Sequence, residues 1–424
     1  MIIRSTMRAR AKAYAPEWLR SQFRAARASL QPPAIDDVVL QPLRFAADGE
    51  PRARLSLVMP KLERATAFGG VATGLDLFLS IGRAVQALRP IDLRIMVTDS
   101  GHQPDRSLID DRVPSTGGEQ PRVDVVSAGS GPVRVRHDEA FFTFNFWTTL
   151  NTRPLIEGQS AHFGRPGLPQ TYLIQEYEPH LFPFSSANIF AREAYDCVDR
   201  LWGLFNSSQL AAYFARQGHG VERAWTFEPV IPEALRAHLP LFGRRLSRDR
   251  TILVYGRPAV DRNCMPALRR ALARWVAEYP EFADWEVVSV GMPHAPIALG
   301  GGRFIRSLGK LSLEDYAASL RAASVGISLM ASPHPSYPPL EMAHFGLRTL
   351  TNRYLDKDLA GLHRNIVSLP SLDEGVIAET LAQACRAGPA DPDAPPIASY
   401  LRTDTYQFAG EFAAALEAEL SARG

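Results

Sequence analysis

The sequence predicts an α/β protein built from two doubly wound, Rossmann-like domains that face each other across a cleft. Three observations support this fold class. The chain has 424 residues, which is more than one ordinary hydrophobic core accommodates. Short apolar runs that suit buried strands alternate with amphipathic runs that suit helices, as in a parallel sheet with crossover helices. Proline and arginine interrupt this alternation in residues 228–250, where we place the join between two blocks.

The composition excludes several classes of protein. Apolar residues make up 46% of the chain and charged residues 22%, which is typical of a globular protein. A net charge of +2 argues against a nucleic-acid-binding protein, because no block is strongly basic. The three cysteines are too far apart for a disulfide framework or a zinc site, and no apolar run is long enough to span a bilayer. We therefore expect a cytoplasmic location.

We assign residues 1–50 to a basic helical arm and an irregular linker. The first thirty residues contain many arginines, the single acid Glu17, and the aromatic residues Trp18 and Phe23. A basic amphipathic helix of this kind can lie on an anionic membrane surface. It can equally be a solvated arm whose aromatic side chains pack on its own protein. Peripheral contact with the inner face of the membrane is thus one of two interpretations.

The first block, residues 51–240, begins with a strand, a glycine-rich turn, a helix and a second strand. Gly69 and Gly70 lie in the turn, where glycine lets a phosphate or sugar approach the positive end of a helix. A tight structural turn would also explain them. Their spacing is not the GxGxxG pattern of nicotinamide cofactor sites. Further strands are predicted at AFFTFNF, TYLIQEYEP and RLWGLFNSS.

The second block, residues 241–400, repeats the alternation from Thr251 onwards. Its predicted strands are TILVYG, WEVVSVG, VGISLM, RTLTNRY and IVSLP, and its predicted helices are MPALRRALARWVAEY and LEDYAASLRAAS. The segment MPHAPIALGGGRFIRSLGKLS is predicted to be a loop. We expect residues 401–424 to form a helix that packs back on the first domain.

Open α/β sheets bind ligands beyond the carboxyl ends of their strands, which selects two loops of the second block. Arg257 and Arg262 follow its first strand, where guanidinium groups suit a diphosphate, although surface ion pairs would also explain them. In the second loop, Gly309 permits close approach and Lys310 supplies a mobile positive charge. Both loops are candidates for binding a phosphorylated donor.

The segment ASPHPSYPPLEMAHFG contains four prolines and one carboxylate. Its Pro-Pro pair suits the first turn of a helix, with Ser336 or Tyr337 near the N-cap. Glu341 would then lie in the first turn, where the helix dipole favours a carboxylate. Helix capping explains Glu341 in this position, and hydrogen bonding to the hydroxyls of a sugar is the functional alternative. Ser336 and Tyr337 are further candidate donor-binding residues.

These segments resemble the GT-B glycosyltransferases of family 4. They are most similar to the rhamnan-synthesis, WsaF-like rhamnosyltransferases, whose segment SPHPSYPPLEMA is close to the one here. YLIQEYEPHLFPFSS and LFNSSQLAAYF also resemble acceptor-domain segments of that group. The resemblance covers roughly residues 50 to 400. It implies that Arg257 and Lys310 bind the donor diphosphate and that Glu341 binds the nucleoside sugar. Pro333 stands where most of the family carries a first glutamate.

The resemblance implies a retaining hexosyltransferase of polysaccharide and cell-envelope biosynthesis. It would transfer L-rhamnose from dTDP-rhamnose to a glycan or lipid-linked glycan, with no cofactor and no metal. Glu176, Glu178 and His180, in QEYEPH, are candidate catalytic residues that orient the acceptor, and buried packing or surface exposure is the alternative for each. A transferase of UDP- or GDP-hexoses, a non-catalytic nucleotide-sugar-binding subunit and a sugar-nucleotide epimerase remain open.

Overall fold

The computed structural model describes residues 40–64, 69–99, 103–112, 123–244, 246–355, 357–388 and 390–423. Residues 1–39 of the basic arm lie outside the described residues, so the interpretation of the arm stays a prediction. Two seven-stranded sheets, each flanked by helices, form the described part of the chain. The predicted α/β fold class with two Rossmann-like domains is confirmed. Among the described residues, no helix is both long enough and apolar enough to cross a bilayer.

The first domain contains a parallel sheet and a small two-stranded sheet. Its elements in chain order are β1 (Phe45–Asp48), β2 (Arg54–Met59), α1 (Gly70–Gln86), β3 (Asp92–Val97), α2 (Ser107–Asp110), β4 (Val123–Ser127), β5 (Val133–Arg136), β6 (Glu139–Thr143), α3 (Phe146–Phe163), β7 (Gln170–Ile174), α4 (Ser186–Asp196), β8 (Leu201–Phe205), α5 (Ser208–Arg216) and β9 (Arg223–Thr226). The strand order in the large sheet is β4-β3-β2-β6-β7-β8-β9, and all neighbours are parallel.

Strand β1 corrects the sequence-based expectation that the residues before 51 are irregular linker. It pairs in parallel with β5, and its Phe45 side chain packs against Gly158 of α3, where a Cβ atom would come within 2.6 Å of the ring. Its partners therefore lie far along the chain. A local pattern of four residues could not reveal this pairing, because its stability comes from non-local contacts.

The second domain repeats the architecture. Its elements, with the helix of the connecting segment and the C-terminal helix, are α6 (Glu233–Arg236), β10 (Asp249–Gly256), α7 (Met265–Glu278), β11 (Glu286–Gly291), β12 (Ile297–Gly300), β13 (Arg303–Gly309), α8 (Leu313–Ala322), β14 (Ala323–Ile327), α9 (Tyr337–His344), β15 (Arg348–Asn352), β16 (Ile366–Leu369), α10 (Glu374–Arg386) and α11 (Ala409–Ser421). The strand order is β12-β13-β11-β10-β14-β15-β16, and only the β12–β13 pair is antiparallel.

The predicted loop after β11 is wrong, because it folds into the β12–β13 hairpin. Gly300, Gly301 and Gly302 all have positive φ angles and make its turn. Only every second residue of β13 packs towards the core, as the buried Ile305 between two exposed neighbours shows. The high glycine content and the half-exposed strand together obscured the strand pattern in the sequence.

The C-terminal helix α11 belongs structurally to the first domain. Phe412 and Leu416 are buried in the core formed by β2, β3 and α1. Arg200, which precedes β8, forms an ion pair of 2.7 Å with Glu419 at the end of the helix. The last residues of the chain therefore help to hold the first domain.

Candidate active site

The carboxyl ends of the two large sheets meet at a cleft. Glu176, which follows β7, accepts a hydrogen bond from Ser332, which follows β14, and the serine Oγ is 2.7 Å from each carboxylate oxygen. The ring of His180 lies 3.0 Å from the hydroxyl of Tyr354 after β15. Loops at the ends of parallel strands therefore face each other, which is where open α/β sheets bind ligands.

The proline segment forms one wall of this cleft. Helix α9 begins at Tyr337 with Ser336 at the N-cap, and the two prolines occupy its first turn. Ser336 has a φ of 68°, which is unusual for a residue with a side chain, and its side chain makes no capping hydrogen bond. The Tyr337 hydroxyl lies near the Thr73 side chain of α1, which lowers the pKa of this tyrosine against the effect of burial. The start of α9 is thus held against the first domain.

Glu341 does not cap the helix, which corrects the capping interpretation. It is the fifth residue of α9 and lies beyond the first turn, which contains no acid. The side chain is buried, and its Oε2 accepts a hydrogen bond of 2.6 Å from the Tyr316 hydroxyl. Burial raises the pKa of the Glu341 carboxyl to about 7, although the hydrogen bond from Tyr316 lowers it. A buried carboxyl with a raised pKa in a cleft is typical of a functional residue.

Three of the predicted donor-binding residues act on the same side chain. The charges of Arg257, Arg262 and Glu341 all influence the Tyr255 phenol, near the end of β10. Burial raises the pKa of Tyr255, and the guanidinium of Arg257 lowers it. Arg257 is half-buried, and the Nε atom of Arg262 is buried with no hydrogen-bond partner among the described residues. Two guanidinium groups and a carboxyl therefore share one corner of the cleft.

Gly309 and Lys310 lie further along the same edge of the sheet. Gly309 is the last residue of β13 and Lys310 follows it; β11 separates this strand from β10. Gly309 has a φ of 72°, which favours glycine, and Lys310 is exposed. Their role at the donor diphosphate stays a prediction.

A packing constraint explains the second glycine of the glycine-rich turn. Gly69 is the N-cap of α1 with a φ of 52°, and Gly70 is the first helical residue. A Cβ atom at Gly70 would lie 2.7 Å from Oε1 of Gln175, the residue before Glu176. The helix therefore approaches the Glu176 loop closely, and a role of the turn in binding phosphate or acceptor stays a prediction.

Glu178 and His180 differ in where they lie. Glu178 is buried, and its carboxylate accepts hydrogen bonds from Tyr172 at 2.6 Å and from the backbone N–H of Phe146 at 3.0 Å. Burial raises the pKa of the Glu178 carboxyl to about 7. Both of its oxygens are therefore engaged inside the first domain, where Glu178 holds the start of α3. His180 instead reaches the cleft.

Two cleft residues had no clear signal in the sequence. Lys357 is 2% exposed, and its Nζ donates a 2.9 Å hydrogen bond to the carbonyl of Met330. Burial lowers the pKa of the Lys357 ammonium to about 8, whereas the nearby Glu176 carboxylate raises it. Asn206, directly after β8, has a buried Oδ1 without a hydrogen-bond partner in the described part of the chain. Its place near the end of the predicted strand RLWGLFNSS was the one available signal for Asn206.

Comparison with known proteins agrees with this architecture. The chain matches the model of the WsaF N-terminal domain over residues 54–208 and that of the WsaF C-terminal domain over residues 250–382. It is 33% identical over 193 residues to the O-antigen biosynthesis protein RfbC of Myxococcus xanthus. That match covers 45% of this chain and spans only 14% of the length of the relative.

Solved structures show the same fold at low sequence identity. Sucrose-phosphate synthase from Thermosynechococcus elongatus has a TM-score of 0.52 at 13% identity, covering 88% of this chain and 100% of that one. A UDP-forming α,α-trehalose-phosphate synthase from Burkholderia vietnamiensis has a TM-score of 0.50 at 10% identity, covering 88% and 95%. Because the two domain models together match more than half of the sequence, the chain belongs to the WsaF family of GT-B glycosyltransferases.

Proposed function

We propose that this chain is a retaining glycosyltransferase that transfers L-rhamnose from dTDP-rhamnose to a growing polysaccharide or lipid-linked glycan. The observation that carries the proposal is the grouping of Arg257, Arg262 and Glu341 around Tyr255 in the cleft. Guanidinium groups suit a diphosphate, and a buried carboxylate suits the hydroxyls of a sugar. The rhamnan-synthesis resemblance of the proline segment and the name of the Myxococcus relative support a role in polysaccharide biosynthesis.

In the proposed reaction, the bond between the sugar and the diphosphate breaks while the acceptor hydroxyl bonds to the same face of the sugar. The acceptor proton passes to an oxygen of the leaving diphosphate. Arg257 and Arg262 would stabilise the negative charge that develops on this leaving group, with Lys310 as a further cation. Glu176 and His180, on the facing domain, would orient the acceptor. Because basic side chains supply the positive charge, we expect the reaction to need no divalent metal.

Incubation of the protein with dTDP-rhamnose and, separately, with UDP- and GDP-hexoses tests the proposal. We expect glycan extension, or slow release of free rhamnose without acceptor, from dTDP-rhamnose, and we expect it to persist in excess EDTA. Binding without sugar release would indicate a non-catalytic subunit, and a new sugar nucleotide would indicate an epimerase. Turnover of a UDP- or GDP-hexose, with no turnover of dTDP-rhamnose, would contradict the proposal that dTDP-rhamnose is the donor. Activity that EDTA abolishes and magnesium restores would contradict metal independence.

We also propose that the basic arm brings the protein to an anionic membrane, where a lipid-linked acceptor would be presented. The basis is the arginine-rich sequence with Trp18 and Phe23, since each basic residue near an anionic surface contributes about 1 kcal/mol. In a sedimentation assay, the full chain should pellet with anionic liposomes, whereas a variant that begins at Pro42 should stay in the supernatant. Equal sedimentation of both would contradict this role.

Glu341→Gln is expected to weaken binding of the donor nucleotide by roughly ten- to a hundredfold, because a hydrogen bond to a charged group contributes about 1.5–3 kcal/mol. Titration calorimetry with dTDP measures the change. Glu314→Gln, an exposed glutamate on the neighbouring helix α8, is the matched control and should bind normally. Normal binding by Glu341→Gln would show that the carboxylate does not contact the donor.

The effect of Glu341→Gln on the free energy of unfolding is expected to depend on pH. Burial raises the pKa of Glu341 from 4.5 to about 7, so the native state binds more protons than the unfolded state between these values. The contribution of Glu341 to stability is therefore fully present below pH 4.5 and is lost as the pH rises through about 7. The unfolding free energy of the wild type minus that of the glutamine variant should fall across this window. A constant difference would mean that Glu341 ionises normally.

A further inference from the structure

The Glu176 carboxylate occupies a site that has the composition of an anion-binding site. The Ser332 hydroxyl lies 2.7 Å from both carboxylate oxygens, and the backbone N–H of Tyr177 donates a 3.1 Å hydrogen bond to Oε1. The positive charges of Arg262 and Lys357 also act on this carboxylate. One hydroxyl of the second domain therefore contacts one carboxylate of the first domain, and two cations of the second domain act on that carboxylate electrostatically.

The second domain holds its part of this site without help from Glu176. Lys357 Nζ donates to the Met330 carbonyl at 2.9 Å, and Asn352 hydrogen-bonds both the N–H of Met330 at 2.7 Å and its carbonyl at 3.2 Å. Leu355, in the turn that leads to Lys357, has a φ of 51°, which is strained for a leucine. The loop and the ammonium are thus fixed by their own domain.

The cations exceed what one carboxylate neutralises. Lys357 is 2% exposed, and the buried Nε of Arg262 finds no hydrogen-bond partner among the described residues. His334, also buried beside these two cations, adds no negative charge, since burial lowers the pKa of its imidazole to about 3 and keeps it neutral. Buried cations are costly unless an anion accompanies them. An unpartnered cationic donor in a cleft indicates room for a more highly charged anion.

We propose that Ser332, Arg262 and Lys357 form a subsite for a phosphate-class anion, the diphosphate of the donor, and that Glu176 occupies this subsite until the diphosphate displaces it. The inference rests on the proposed function, because it takes the donor to be a nucleoside diphosphate sugar. It adds Lys357 to the donor site and makes Glu176 an internal competitor of the donor. Displacement would free Glu176 to face the acceptor after the donor has bound.

The test measures the affinity of dTDP and of inorganic pyrophosphate by titration calorimetry. Glu176→Gln keeps the shape of the side chain but removes its charge, so we expect both ligands to bind about tenfold more tightly than to the wild type. Glu193→Gln, an exposed glutamate on α4, is the matched control and should change nothing. Lys357→Met should lower the affinity for both ligands by about tenfold.

The double variant Glu176→Gln/Lys357→Met separates ligand binding from a structural role of the lysine. If Lys357 contacts the diphosphate, the lysine substitution weakens binding in both backgrounds. If Lys357 only holds Glu176, its effect disappears in the glutamine background, and the assignment of Lys357 is overturned. Wild-type binding with no gain in Glu176→Gln overturns the inference but leaves the proposed function standing. Failure of the wild type and of Glu176→Gln to bind either dTDP or pyrophosphate overturns both.

Discussion

Replacing Glu139 by alanine is expected to lower the free energy of unfolding by about 3–5 kcal/mol, because it leaves the buried Arg94 without its counter-charge and Arg54 with Asp48 alone. Glu139 is fully buried in β6. Its carboxylate accepts hydrogen bonds from Arg54 at 2.6 Å, from Ser56 at 2.5 Å and from Arg94. Burial lowers the pKa of the Arg94 guanidinium to about 10, although Glu139 raises it. Parallel strands β2, β3 and β6 are therefore joined by one buried charge network.

Urea unfolding followed by circular dichroism measures this loss, which is a large part of the roughly 5–15 kcal/mol that stabilises a typical domain. The matched control is Glu157→Ala, since Glu157 makes an exposed ion pair with Arg153 on α3. Such helix pairs contribute about 0.3–0.5 kcal/mol. If Glu139→Ala cost no more than this control, the network would not contribute to stability as its burial indicates.

Arg257→Ala is expected to lower the turnover number by about 10²–10³, as removal of one group that stabilises transition-state charge does in other enzymes. The side chain leaves the carboxyl end of β10 and passes beside Gly291 of β11, where a Cβ atom would lie 3.3 Å from Arg257 Cγ. Gly291 therefore leaves the space through which Arg257 reaches Tyr255 and the corner that holds Glu341.

Initial rates with dTDP-rhamnose, fitted for kcat and KM separately, measure the effect. Arg270→Ala is the control, because Arg270 lies on the surface of α7 and pairs with Glu374 at 3.4 Å. Arg257→Lys should recover only part of the rate, since an ammonium cannot make the two parallel hydrogen bonds of a guanidinium. A variant with normal kcat and a lower melting temperature would reduce Arg257 to a structural role.

The strands and helices with strong local patterns were predictable. The apolar run before Lys61 became β2, and the amphipathic run after Gly69 became α1, because burial on one or both faces imposes the pattern directly on neighbouring residues. Strands β1, β4, β5, β9, β12 and β13 were missed. They are short, at least half-exposed or rich in glycine, and contacts with distant segments stabilise them.

The candidate site was predictable only in part. Arg257 and Glu341 could be predicted as site residues, because Arg257 follows a recognisable strand and Glu341 follows the Pro-Pro pair that begins a helix. That Glu341 is buried with Tyr316, and not at the helix end, could not be read from the sequence, since α8 supplies the tyrosine from another part of the chain. Lys357 looks like an ordinary surface lysine in YLDKDL, and only the fold encloses it.

The two α/β domains, the order of most of their elements and the loops at the ends of their strands could be derived from the sequence alone. These properties depend on local periodicity and on residues such as proline and glycine that restrict or release the backbone. Which charged groups come into contact depends on how the chain folds in three dimensions. Glu176 and Ser332 are separated by 156 positions, yet the facing sheets bring them to 2.7 Å. Electrostatic interactions and burial depend on distance in space, which a sequence does not contain until the chain has folded.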